Sequence, residues 1–340
     1  MNRQFVSIII PTFNRANLIK MAIDCALKEI IAGDEIIVVD DGSTDNTEQV
    51  LSSYKGKIKY FRISNSGAGA ARNFGIRNSR NPLVAFLDSD DEWTPGKLAL
   101  QRAFMEARPD VLFCFTDFAV TFREGREARN FLINWHKDPR RWDEILGSGE
   151  HYSSICPLPA GVEDFKFHVG DLYPSMLRNP YVFTGTLIVR REEAGEALHF
   201  AEDLKWGEDW VCYGQLAKKG PAAYLDCETA WQHGHSGGRL TDTNILDGIT
   251  TRIAIMERVW GSDENFQKIH SRDYNRLFRN QKLLKVRELI ALGRTAEART
   301  ELRCIISPPL WHRVLAAMPG AMVRPMLAIR RLLISKLRST

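Results

Sequence analysis

Three carboxylates crowd the segment Asp88-Ser89-Asp90-Asp91, at the end of the apolar run Leu83 to Leu87. A short apolar run behind Asn81-Pro82 reads as a buried strand. The acids therefore emerge together at its carboxyl end, where open α/β sheets bind their ligands. Like charges held this close repel unless a cation or a proton intervenes. A divalent metal ion carrying a phosphate answers that repulsion, and hard carboxylate oxygens select Mg²⁺ or Mn²⁺. Taken alone, the segment reads equally as a solvated acidic turn before the helix near Pro95.

The elements that must position these acids alternate through the first third of the chain. Strands are expected at Val6 to Ile10, Glu35 to Val39, Lys57 to Ile63, Leu83 to Leu87 and Val111 to Phe118. Between them come helices over Leu18 to Ile31, from Ser43 or Thr44 (as caps) to about Tyr54, from Gly67 onward, and over Pro95 to Ala107. The alternation predicts a Rossmann-like α/β fold, a parallel sheet wrapped by helices. Small residues at Gly67-Ala68-Gly69-Ala70-Ala71 would let that helix start approach a phosphate. From about Thr121 to Pro180 the periodicity fails, and Trp135, His136, Arg140, Arg141, Trp142, His151 and Tyr152 suit an acceptor wall or a lid. A strand is expected at Tyr181 to Val189, a helix after Gly207-Glu208-Asp209, and a short edge strand at Ala222 to Tyr224. Beyond a boundary near Leu240 the pattern turns helical: Ile245 to Trp260, Tyr274 to Leu292, Thr295 to Ile306 and Met322 to Leu337.

With 340 residues, 44% of them hydrophobic, the chain can fill one large α/β core and a smaller appendage. A net charge of +4 is too small to indicate nucleic acid. Cys25, Cys114, Cys156, Cys212, Cys227 and Cys304 lie far apart with no C-x-x-C spacing and read as reduced thiols. The polar amino terminus argues against a signal peptide, and no window reaches the ~20 apolar residues of a membrane span. A cytoplasmic protein is the expectation.

Five segments in register resemble the family 2 glycosyltransferases of GT-A fold: Pro11-Thr12-Phe13-Asn14-Arg15, Val38-Val39-Asp40-Asp41-Gly42-Ser43-Thr44-Asp45, Ala70-Ala71-Arg72-Asn73, Phe86-Leu87-Asp88-Ser89-Asp90-Asp91 and Gly207-Glu208-Asp209. The resemblance runs from about Val6 to Gly237. It implies a GT-A domain over residues 1–240, with a donor half to about 118 and an acceptor half beyond. Residues 241–340 form a helical C-terminal region. It also implies inverting transfer from a nucleotide-diphosphate sugar with a divalent metal.

Under that resemblance, Pro11, Thr12, Phe13, Arg15, Asp41, Arg72, Asp88 and Ser89 serve the donor. Phe13 would stack on the base, and Asp41 would accept the imide hydrogen of a uracil. Arg72 would grip the diphosphate. Asp90 is the implied metal ligand, joined by His233. Asp209 is the implied general base, with Glu208 and His235 in acceptor or supporting roles. The His233-Gly234-His235-Ser236 match is loose, because Trp231-Gln232 replaces the usual aromatic-Arg pair. No Q-x-x-R-W segment appears, which counts against a processive polysaccharide synthase.

The implied partners are a nucleotide-diphosphate sugar and a glycan or lipid-linked acceptor. The last helix carries Met326, Ile329, Leu333 and Leu337 on one stripe and Arg324, Arg331 and Arg338 on another. Such a basic amphipathic helix suits the inner face of a membrane, the sheet domain or a second subunit. Competing classes are a receiver-like signalling module, a dehydrogenase and a non-catalytic sugar-nucleotide binder. The first lacks its later lysine and the second its G-x-G-x-x-G after strand one.

Overall fold

The computed structural model describes residues 4–159, 161–234, 244–306, 308–310 and 313–314. The chain divides into two compact units, residues 1–238 and 239–340. In chain order, the first unit begins with β1 (Val6–Thr12), α1 (Ile19–Glu29), β2 (Glu35–Asp40), α2 (Thr47–Ser52), β3 (Lys59–Arg62) and α3 (Ala68–Arg77). It continues with β4 (Leu83–Phe86), β5 (Asp91–Trp93), α4 (Lys97–Ala107) and β6 (Phe113–Thr121). Short elements follow: β7 (Glu127–Ala128), α5 (Leu132–His136), α6 (Trp142–Leu146), β8 (Glu150–His151), β9 (Lys166–Gly170) and α7 (Tyr173–Met176). The unit closes with β10 (Ile188–Arg190), α8 (Arg191–Ala194), α9 (Glu208–Lys219) and β11 (Ala222–His233).

The strands form one mixed sheet in the order β3-β2-β1-β4-β10-β6-β11-β9-β8, with β5 paired to β11 and β7 to β6. The first four strands to appear are parallel as expected: β1 pairs β2 and β4, and β2 pairs β3. β10 departs from that pattern and runs antiparallel to both β4 and β6. Buried parallel strands read as continuous apolar runs. Val6 to Thr12 and Glu35 to Asp40 are accordingly buried along their whole length.

Two strand expectations need correction. Ala222 to Tyr224 is no edge strand. It opens β11, which lies between β6 and β9 and crosses two register shifts around Glu228. Those shifts interrupt the alternation that marks a strand, so the sequence pattern stops short of its full length. Tyr181 to Val189 is not one strand. Its middle, Thr184–Thr186, turns as a 3₁₀ helix in which the Thr186 hydroxyl donates to the Phe183 carbonyl, leaving only Ile188–Arg190 extended.

Close approach places α3 on the sheet. A Cβ on Gly75 would come within 2.5 Å of Ile9 Cγ2, so only glycine lets this helix sit so near β1. Cys25, Cys114, Cys156 and Cys212 are buried free thiols.

The second unit contains α10 (Ile245–Met256), continued by a wide turn over Glu257–Gly261, then α11 (Glu264–Ala291) and α12 (Thr295–Arg303). α11 begins ten residues before the expected Tyr274, where the Asp263 carboxylate accepts the Asn265 and Phe266 amides. Leu246, Leu283, Val286, Leu289, Ile290, Ala298, Leu302 and Ile305 form its core. Among the described residues, no helix is long and apolar enough to cross a membrane. The expected helix Met322 to Leu337 lies outside the described residues.

Candidate active site

The ends of β1 and β2 build the first part of the site. Pro11 pairs with Val39 and Thr12 with Asp40, and the Asp41 amide donates to the Thr12 carbonyl at 2.8 Å. Thr12 Oγ1 is buried without a hydrogen-bond partner, a costly state unless something else supplies one. Beside it, the Phe13 ring is 42% exposed. The Asp41 carboxylate accepts the backbone amides of Ser66 (2.7 Å) and Gly67 (2.8 Å), and burial raises its pKa. A carboxylate has acceptor capacity beyond two bonds.

Asn14 holds these loops together. It sits at φ 52°, its amide donates to Ser43 Oγ, and its Oδ1 accepts the amides of Thr44 (2.7 Å) and Asp45 (3.3 Å). Ser43 and Thr44 are thereby engaged with the preceding loop instead of capping α2. Asp45 takes the capping role, accepting the Thr47 amide at 3.0 Å.

The second part is an acid centre joined by one guanidinium. Arg72, on α3, donates through Nη2 to Asp88 Oδ1 at 2.7 Å and through Nη1 to Glu208 Oε1 at 2.9 Å. Asp88 follows β4, and Glu208 opens α9. The same guanidinium lies over the Phe200 ring, 5.2 Å from its centroid. Asp209 is half-buried, and its Oδ1 accepts its neighbour Trp210's amide at 2.7 Å. Burial and the Glu208 charge push Asp209 up to about 7, against the pull of Arg72. Asp88, Arg72, Glu208 and Asp209 thus act on one another electrostatically, although they come from three distant stretches of sequence.

Asp90 is half-buried, 3.7 Å from Arg15 Nε, while Ser89 is buried. The Asp91 amide donates to the Asp88 carbonyl and tightens the acid turn. Among the described residues, no cluster of three or more His, Cys, Asp or Glu side chains could cage a metal. Mg²⁺ and Mn²⁺ in phosphate chemistry need no such cage; one or two carboxylates and the substrate's phosphates suffice. The partly accessible Asp90 carboxylate fits that donor set. The His233 ring is held by Glu92 (Nε2 to Oε2, 3.2 Å) and lies parallel to Trp231.

Several sequence expectations end elsewhere. Arg72 has both terminal nitrogens on protein carboxylates. The small residues of α3 receive protein, for a Cβ on Gly69 would lie 3.3 Å from both Glu208 Cγ and the Ala201 carbonyl. Much of the irregular segment is core. Tyr152 is buried with its hydroxyl on the Leu100 carbonyl, His136 is buried, and Trp142 stacks on Tyr224 at 3.9 Å. Arg140 forks onto Asp138, which also takes the Tyr181 hydroxyl, and these bonds hold the Asp138 carboxyl far below its usual range. His235 lies outside the described residues. Two positioning groups lie within the motif segments but are given no role from the sequence, Asn14 and Asn73. The Asn73 amide brackets the Phe200 backbone, donating to its carbonyl (2.8 Å) and accepting its N–H (2.9 Å). Both belong to the motif segments, and that membership is the only signal the sequence offers.

A mixed sheet with the Asp41 and Asp88 carboxylates at the ends of β2 and β4, and Glu208 brought beside them from α9, is the GT-A architecture. Comparison with known proteins agrees. Residues 7–156 match the family described as Glycosyl transferase family 2. The putative teichuronic acid biosynthesis glycosyltransferase TuaG of Bacillus subtilis is 34% identical over 226 residues, covering 65% of this chain and 75% of TuaG. An uncharacterised glycosyltransferase of Rickettsia felis is 30% identical over 230 residues, which are 66% of this chain but 32% of that protein. This chain therefore spans about a third of the Rickettsia relative. Among solved structures, Staphylococcus aureus TarS (residues 1–349) in complex with UDP-GlcNAc superposes with a TM-score of 0.56 at 16% identity, covering 87% of each chain. The chain belongs to glycosyl transferase family 2.

Proposed function

We propose that this chain is an inverting glycosyltransferase that moves a sugar from a nucleoside-diphosphate donor, UDP-linked by preference, to a hydroxyl of a glycan or lipid-linked acceptor. One observation carries the reading: a single buried guanidinium joins the donor-side Asp88 to Glu208, the neighbour of Asp209. The TarS complex with UDP-GlcNAc supports the choice of UDP, and the naming of TuaG for teichuronic acid biosynthesis supports a glycan acceptor.

On this reading, the exposed Phe13 ring stacks on the base, while Thr12 Oγ1 and the remaining acceptor capacity of Asp41 meet its polar edge. Asp88 and Ser89 lie toward the ribose, and Arg15 offers a cation beside Asp90. Asp90, with His233 as the second candidate ligand, would hold a divalent ion, which when bound would supply charge neutralisation for the departing nucleoside diphosphate. Asp209 removes the acceptor hydroxyl proton as that oxygen attacks the anomeric carbon. A base is most effective when its pKa lies near the working pH, and such assistance is typically worth ~10²- to 10⁴-fold. Asp209, raised to about 7, meets that condition.

The test is a thermal-shift panel of UDP-, GDP- and dTDP-sugars with and without Mn²⁺, followed by nucleotide release from any donor that binds. Selective stabilisation by UDP-sugars and metal-dependent UDP release are expected. No shift with any donor, together with no release, would sink the proposal.

A further inference from the structure

Arg72 stands at the start of α3, where a fork of N–H donors would suit a diphosphate. Its surroundings point elsewhere. The residue is only 5% exposed, its two terminal nitrogens are committed to Asp88 and Glu208, and its Nε is buried without an acceptor. An arginine that grips phosphate must present its donors to the ligand, and this one presents them to protein carboxylates. The rest of the α3 start is equally occupied. Gly69 backs onto Glu208 and Ala201, and Asn73 brackets Phe200. The first turns of α3 are a dock for the segment that delivers Glu208 and Asp209.

We infer that Arg72 is a positioning residue, a buried strut that fixes Glu208 beside Asp209 and ties both to Asp88, and that it is not a ligand of the donor's diphosphate. This rests on the reading of Asp209 as the base. The groups acting on the Asp209 carboxyl are Glu208, Cys212 and Tyr213 on its own helix, Arg72 from α3 and Asp88 after β4. Within that set Arg72 is the cation and Glu208 the adjoining anion. Deleting either charge should move the acid limb of the pH-rate profile, and in opposite directions.

The experiment uses the full chain with Mn²⁺, measuring UDP affinity by calorimetry and transfer rate against pH for wild type, Arg72→Gln and Glu208→Gln. A strut predicts that Arg72→Gln changes UDP affinity by less than about threefold, since no charge-assisted phosphate contact worth ~10-fold or more is lost. It predicts a fall in kcat of roughly tenfold or more. The acid limb should rise by about one pH unit in Arg72→Gln and fall by about one in Glu208→Gln. A loss of UDP affinity of about tenfold or more with kcat intact, or limbs that stay fixed or move together, overturns the inference. If Arg72→Gln does not fold, the near-isosteric Glu208→Gln decides by the direction of its limb. A wild-type protein that binds UDP yet turns over no donor defeats the proposed function instead, and the UDP affinity of Arg72→Gln still tests the strut.

Discussion

Replacing Asp209 by Asn should abolish transfer and at the same time make the protein more stable at alkaline pH. The folded-state pKa of this carboxyl, about 7, lies above its ordinary 3.8. The folded chain therefore holds the proton more tightly than the unfolded chain. The sign follows from linkage: wild-type stability falls as pH rises through the window between those values and is constant above it. Each pH unit inside the window is worth about 1.4 kcal/mol. From about pH 5 to about pH 8 the wild type would lose roughly 2.7 kcal/mol before any correction. Solvent reaching the half-buried carboxyl reduces this to on the order of 1–2 kcal/mol. Asn is neutral throughout and escapes the loss. The melting temperature of Asp209→Asn minus that of wild type should thus widen by roughly 2–6 °C between those two pH values, read by calorimetry or dye fluorescence. Turnover at about pH 8 should drop by ~10²-fold or more. An Asn variant whose stability gap is the same at both pH values, or whose turnover is near normal, would refute the reasoning.

Other outcomes follow from the same geometry. Phe13→Ala should weaken UDP binding by roughly 5- to 100-fold, since a base stacked on an aromatic ring is worth ~1–3 kcal/mol; unchanged calorimetric affinity would remove Phe13 from the base site. Thr12→Val fills the same space without a hydroxyl and should raise the donor KM several-fold, by about 1 kcal/mol of lost hydrogen bonding, with kcat little changed. Lys97 is wholly buried over the Trp93 ring, and desolvation depresses it to about 7. Its folded-state value lies below the unfolded one, so stability should climb as pH rises from about 7 toward 10. Lys97→Met should lack that climb in melting scans, and a parallel climb in both proteins would count against the burial argument. Truncation after Pro319 should lower binding to anionic vesicles if the basic tail meets a membrane; identical sedimentation with vesicles would exclude that role.

β1, β2 and β4 were legible because they are buried along their whole length and read as near-continuous apolar runs. Their loops also carry motif residues at fixed places after each strand. Thr12, Phe13, Asp41, Asp88 and Asp90 could be placed at strand ends on that basis alone. What could not be read was long-range. The pairing of Arg72 with Glu208 has no local signal, because the two are 136 positions apart. The aromatic segment from Trp135 to Tyr152 mixes charges and rings without period. Its burial depends on Tyr224 and Leu100, which lie far off in sequence. β11 was hidden by its register shifts, which break the alternation that marks a strand. Asn14 and Asn73 act on main-chain groups of other loops, and no local pattern foretells such bonds.

The place of β11 in the sheet bears on how the molecule must be made. The last strand of the first unit enters between β6 and β9, not at a rim, and β10 likewise arrives late to separate β4 from β6. As the polypeptide emerges during synthesis, the early strands wait with open hydrogen-bonding edges until some two hundred residues have been produced. The nascent amino-terminal portion is therefore an adhesive intermediate. Arrest of translation before Ala222 should yield insoluble product rather than a small nucleotide-binding domain.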